Sequence, residues 1–211
     1  MTTTNPNFTD AEYEARIART RAEMEIRGLD LLIISDPSNM NWISGYDGWT
    51  FYVHQAVLLP MDGEPIWWGR GIDGPGAART VFMRDPDSVA PYDDTYVQNP
   101  QKHAMESLAA LIVDRGWNTG WIGVEMDNYY YSAAAHQTLV NHLNDARLMD
   151  ATGLVNWQRL VKSESELLYM RRAARIVERM HRASKARMGN GAITRPSCPW
   201  RRRGWTPRRL T

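Results

Sequence analysis

Apolar residues Leu29, Leu31, Leu32, Ile33 and Ile34 form a run of strand length that closes at Ser35. Upstream, Tyr13, Ile17, Thr20 and Met24 recur at spacings of three and four, a stripe along one face of a helix. Thr9 and Glu12 fit a capping box at its start, and Gly28 fits its stop. The chain therefore opens as helix, Gly28, strand. Asp36-Pro37-Ser38-Asn39 halts that strand, because Pro37 lacks an amide proton and its polar neighbours bond to nearby backbone. A polar-aromatic loop, Ser44-Gly45-Tyr46-Asp47-Gly48-Trp49, follows. A buried strand emptying into such a loop is how α/β proteins display recognition groups.

The same patterning continues downstream. Tyr52 to Leu59 reads as a strand, Pro60-Met61-Asp62-Gly63 as a turn and Glu64 to Trp68 as a returning strand. A hairpin places Trp67 and Trp68 on opposite faces of the sheet. Gly69 to Gly76 is rich in glycine but matches neither phosphate-binding pattern, G-x-G-x-x-G or G-x-x-x-x-G-K-[ST]. It reads as a loop entering a short helix at 75–79, with a strand at 81–83 and further loop through Asp85-Pro86 and Pro91-Tyr92-Asp93-Asp94. A helix is expected at 101–115 on Ala104, Leu108, Leu111 and Ile112, ended by Gly116. Then come a strand at 121–124, a helix at 132–143 and a short strand at 146–149. Alternating strands and helices of this kind give an α/β domain. Ser163 and Glu166 form a capping box for a last helix carrying Leu167, Met170, Ala174 and Val177.

Composition sharpens this picture in three respects. No apolar run approaches the roughly 20 residues that span a bilayer, and MTTTNPNF lacks the plan of a secretory signal, so no membrane association is expected. The single cysteine, Cys198, excludes an intrachain disulfide and a thiolate cluster, in keeping with a cytoplasmic protein. The net charge of +1 hides an asymmetry. Residues 182–211 hold 9 of the 25 basic residues and no acidic ones, leaving the first 181 with 16 basic against 24 acidic, a formal −8. An acidic body of this kind is not expected to bind nucleic acid. The histidines, His54, His103, His136, His142 and His181, are scattered, with no H-E-x-x-H and no compact Asp/His/Glu set, so no metal site is expected in this chain.

Three segments carry a resemblance. RxxRxxxxMEIRGLDLLIISDPSNMNWISGY from Arg16 to Tyr46, the GVE of residues 123–125, and LVKSESELLYMRRAARI at 160–176 resemble the amino-terminal domain of the creatinase/prolidase-like family. Larger members of that family share the pita-bread metallopeptidase fold. Within it, SGYDGWTFYVHQ at 44–55 and WWGRGIDGPGA at 67–77 look most like the ectoine hydrolases. The resemblance covers about residues 9–182. It implies a creatinase amino-terminal-like mixed sheet flanked by helices at 1–160 and a linker helix at 161–182 toward a catalytic domain absent from this chain. That domain supplies the metal ligands and catalytic histidines of metal-dependent relatives. A divalent metal and the catalytic residues are thus expected there and none is assigned here.

The resemblance also implies a homodimer in which this end of the domain borders the substrate cleft. Tyr46, Asp47, Trp49, Tyr52, His54 and Arg70 are the candidate rim residues. They suit a small zwitterion such as ectoine: Arg70 for its carboxylate, aromatic faces and Asp47 for its cationic amidine. The competing expectation is that the aromatics fill an interface and Arg70 makes an intramolecular ion pair. The implied activity of the intact enzyme is hydrolytic opening of the ectoine ring, with this chain inactive alone. Alternatives are a non-catalytic ligand- or partner-binding module, or another creatinase/prolidase-like hydrolase.

Residues 183–211, ending in PSCPWRRRGWTPRRLT, break the pattern and the resemblance together. They read as a disordered or frame-shifted basic tail. The competing reading is a genuine Arg/Trp tail for nucleic acid or an acidic membrane surface.

Overall fold

The structure is a computed structural model and describes residues 7–189. It divides into two compact units, 1–161 and 162–211. In the first, α1 (Asp10–Arg27) is capped by Thr9, whose hydroxyl accepts from the Glu12 amide, and ends at Gly28 in the left-handed region, φ 67°. Tyr13, Ile17, Thr20 and Met24 are all buried, so the sequence stripe is the packed face. β1 (Leu31–Ile34) follows and is buried on both faces.

The segment after β1 departs from the sequence reading. Asp36-Pro37-Ser38-Asn39 starts a helix, α2 (Pro37–Ser44): the Asp36 carboxylate accepts from the amides of Ser38 and Asn39, and Pro37 occupies the first turn, where no donor is needed. The same residues that halt a strand can open a helix. β2 (Ala56–Pro60) and β3 (Ile66–Arg70) form the expected antiparallel hairpin, although residues 52–55 stay outside the strand. α3 (Gly74–Thr80) is the short helix expected near 75–79.

A strand at 81–83 is not formed; Val81, Phe82 and Met83 are buried without pairing, as core packing rather than ladder. β4 (Val89–Tyr92) lies where a loop was expected. Pro91 misled that reading, yet β4 is an edge strand, where a missing donor is tolerated. α4 (Ala104–Asp114) starts later than expected, because His103 and Glu106 make the capping box. β5 (Gly120–Val124), α5 (Ala133–His142) and β6 (Ala146–Asp150) match the reading, and α6 (Leu154–Gln158) is an additional short helix.

The six strands form one mixed sheet in the order β4-β3-β2-β1-β5-β6. β1 is antiparallel to β2 and parallel to β5; β5 is parallel to β6, and β3 to β4. Alternation of side chains divides the core into two layers. Leu32, Ile34, Val57, Leu59 and Trp67 pack with residues of α1, α2, α3 and α6. Leu31, Ile33, Leu58, Ile66 and Trp68 pack with residues of α4 and α5. Trp67 and Trp68 thus fall on opposite faces as expected, and both are fully buried.

In the second unit, α7 (Glu164–Gly189) opens on a complete capping box: the Ser163 amide donates to Glu166 Oε2 at 2.8 Å, and the Glu166 amide to Ser163 Oγ at 3.2 Å. The helix runs past 182, so residues 183–189 belong to it and not to a separate tail. The expectations for residues 190–211 fall outside the described residues. Among the described residues, no helix is long and apolar enough to cross a membrane.

Candidate functional site

The parallel register of β1 and β5 sets Ile33 beside Val124. The residues that leave the two strands therefore meet, and Glu125 is the point of meeting. It is 4% exposed. Its Oε2 accepts from the amides of Ser35 and Asp36, each at 2.8 Å, and its Oε1 from the Asn39 side chain at the start of α2. Asn39 also donates to Asn156 of α6 at 2.8 Å and accepts from Arg159 at 2.6 Å. Burial pushes the Glu125 pKa up, while the surrounding donors pull it back.

From this buried carboxylate the hydrogen bonds run outward. Asn128 donates to Glu125 Oε2 at 3.3 Å, and its own carbonyl oxygen accepts from the Tyr130 amide at 2.8 Å. The Tyr130 hydroxyl accepts from Trp49 Nε1 at 2.6 Å, and its backbone carbonyl accepts from His54 Nδ1 at 3.2 Å. Two loops, 45–55 and 125–132, are clasped together by Tyr130. Thr50 and Val53 close the first loop on itself, the Val53 amide donating to Thr50 Oγ1 at 3.2 Å. Gly45 starts it at φ 80°, close to the Tyr13 hydroxyl and the Thr80 carbonyl, so both space and conformation require glycine there.

Trp49, Phe51, Tyr52 and Tyr129 are exposed on these loops, at 59%, 63%, 59% and 76%. Three of them, with Tyr130, form a ladder of ring contacts: Trp49 to Phe51 at 6.1 Å, Phe51 to Tyr129 at 6.3 Å, and Tyr129 to Tyr130 at 5.4 Å. An exposed aromatic surface of this kind suits contact with a ligand or another protein surface. Phe51, Tyr129 and Tyr130 were not among the sequence candidates. The run Tyr129-Tyr130-Tyr131 at the outlet of β5 was the available signal.

Two candidates take other places. Tyr46 is 3% exposed and lies in the core, its ring 5.3 Å from that of Trp67 and its hydroxyl donating to Gln55 at 2.9 Å. Burial pushes its pKa up to about 12, with Asp73 adding to the effect. A rim position is not open to it. Arg70 is held in a bidentate pair by Asp94, with both bonds at 2.8 Å, and donates its third nitrogen to the Tyr52 hydroxyl at 3.0 Å. Its charge is already met inside the domain, which is the competing expectation for this residue. Asp47 is exposed, its amide donating to Thr80 at 3.3 Å.

His54 and His103 are far apart in sequence but their rings lie 4.9 Å apart. Burial lowers the pKa of both; His103 lowers that of His54 further, while Glu106 offsets part of the effect on His103. Neutral imidazoles are thereby favoured. Among the described residues no group of three or more His, Cys, Asp or Glu is placed to hold a metal ion.

Residues 16–161 match the model of the creatinase/prolidase N-terminal domain. The chain belongs to that family. It is 56% identical over 175 residues to the ectoine hydrolase of Halomonas elongata, a match covering 82% of this chain and 44% of the relative. An uncharacterized hydrolase/peptidase of Sinorhizobium fredii is 41% identical over 175 residues, again 82% and 44% of the two chains. This member thus spans less than half the length of the curated relatives it matches. A dipeptidase of Pyrococcus horikoshii shares the fold at a TM-score of 0.62 and 14% identity, over 81% of this chain and 44% of that one.

Proposed function

We propose that this chain is the amino-terminal domain of an ectoine-hydrolase-like enzyme, and that its exposed loops form part of the rim of a substrate cleft. The observation that carries the reading is the 56% identity to ectoine hydrolase, which runs through the domain that holds the clasped loops. Trp49 and Tyr52 present aromatic faces suited to the cationic amidine of a small zwitterion, and Asp47 adds a negative charge nearby. His54, held by Tyr130, offers a neutral ring beside them. Arg70 acts indirectly: paired with Asp94, it fixes the Tyr52 hydroxyl and does not itself take the substrate carboxylate.

The intact enzyme is a cytoplasmic homodimer in this reading, and the ring-opening C–N hydrolysis requires acid, base or metal groups beyond residues 1–211. The rim binds, orients and excludes water. Two measurements test this. Ectoine consumption, followed by proton NMR, is expected to be absent with the 211-residue chain. In an enzyme carrying this domain joined to a catalytic half, Trp49→Ala or Tyr52→Ala is expected to raise KM for ectoine by about tenfold with little change in kcat. Turnover by the 211-residue chain, or an unchanged KM in both variants, contradicts the proposal.

A further inference from the structure

A cleft of about 190 Å³ opens between residues 52–54 of the aromatic loop and the segment 96–104. It is smaller than the pockets that take drug-sized molecules, so its occupant is small. Its lining contains no Asp or Glu, whereas it includes Lys102, His54, His103, Tyr52, Tyr96 and Gln98. Of the acids around it, Asp94 holds Arg70, and Glu106 Oε1 accepts from the His103 amide at 2.9 Å. Asp93 accepts from the Thr95 amide at 2.8 Å while its charge faces that of Lys102, and Asp73 acts on the lining Tyr92 from outside the cleft. Lys102 makes no ion pair among the described residues; its ammonium stands 5.7 Å from the Tyr96 ring.

The backbone contacts of the two imidazoles fix which nitrogen of each carries the proton. His103 Nδ1 accepts from the Met105 amide at 3.1 Å, so its proton sits on Nε2 and is free to be donated. His54 Nδ1 meets the Tyr130 carbonyl at 3.2 Å, so it is the donor there and its Nε2 keeps a lone pair. The Tyr52 oxygen accepts from Arg70, which leaves its own proton available. Three donors, one of them a cation, thus border a cleft whose lining carries no negative charge.

We propose that this cleft binds a small organic carboxylate. Lys102 supplies the charge, His103 Nε2–H and the Tyr52 hydroxyl supply directed hydrogen bonds, and the Tyr96 ring receives the apolar body of the ligand. The site lies wholly within the first unit. It shares Tyr52 and His54 with the proposed rim but requires neither ectoine nor a second domain.

The test is titration of the 211-residue protein with benzoate at pH 7.5, followed by amide NMR, with benzamide as the uncharged isostere. Saturating shifts are expected at residues 52–54 and 96–104 with benzoate, and much weaker ones with benzamide. Lys102→Ala changes an exposed residue and is expected to weaken benzoate binding about tenfold. Absence of saturating shifts, equal binding of benzamide, or unchanged affinity in Lys102→Ala overturns the proposal. Because the titration contains no ectoine, its failure leaves the rim reading standing, and failure of that reading leaves this site untouched.

Discussion

Glu125 and the two imidazoles carry the tests at the scale of single residues. Glu125→Ala removes the acceptor for the buried Ser35 amide, the part-buried Asp36 amide and the Asn39 side chain, and should cost about 3 kcal/mol. Glu125→Gln keeps one carbonyl oxygen but turns an NH₂ toward donors, so a smaller loss of about 1–2 kcal/mol is expected. Urea unfolding measures both. His54 and His103 set a pH dependence. Each has a folded pKa below its ordinary value of 6.5, so stability is full above that pH and is lost as pH falls below it. His103→Asn retains an N-cap acceptor and removes one titration. It should match the parent at pH 7.5 and exceed it at pH 5.5; equal losses in both proteins would show that His103 does not set this dependence. These residue-level facts were the least legible in sequence. Arg70 pairs with a residue 24 positions away, Tyr46 turns into the core, and His103 reaches His54 only because the sheet brings α4 there. One sequence gives each side chain its chemistry but not its partner.

At the scale of elements, periodic stripes translated directly and ambiguous punctuation did not. Tyr13, Ile17, Thr20 and Met24 mark a buried helical face because they repeat over nearly the whole of α1. Asp36-Pro37 halts β1 as expected but also opens α2, and Pro91 sits in a strand where a loop was expected, for a common reason: proline removes one donor, which a helix start and a sheet edge can each do without. Asp36→Ala should therefore destabilise the domain by about 1 kcal/mol through the start of α2, read as a lower urea midpoint with an unchanged slope. Gly45→Ala should cost about 1–3 kcal/mol, since its φ of 80° and the nearby Tyr13 hydroxyl and Thr80 carbonyl both oppose a Cβ. Equal stability of either variant with the parent would mean that the turn at that end of α2 adapts.

For the molecule as a whole, the α/β class was legible from alternating strands and helices, whereas the strand order and the mixture of parallel and antiparallel pairs were not. Those are set by which apolar faces meet, and only the family resemblance anticipated a mixed sheet. The sheet matters to function because parallel β1 and β5 release their chains side by side, with Glu125 fastening one outlet to the other. The aromatic loops are thereby fastened to the sheet by hydrogen bonds that lie within the first unit. The most direct test transplants that frame. Residues 9–161 replace the corresponding segment of the Halomonas elongata ectoine hydrolase, and the folded chimera is assayed for ectoine hydrolysis. Retention of kcat/KM within about tenfold of the parent enzyme is the expected result; a folded chimera with the parent's oligomeric state but no measurable turnover contradicts the assignment of this domain to an ectoine-hydrolase-like enzyme.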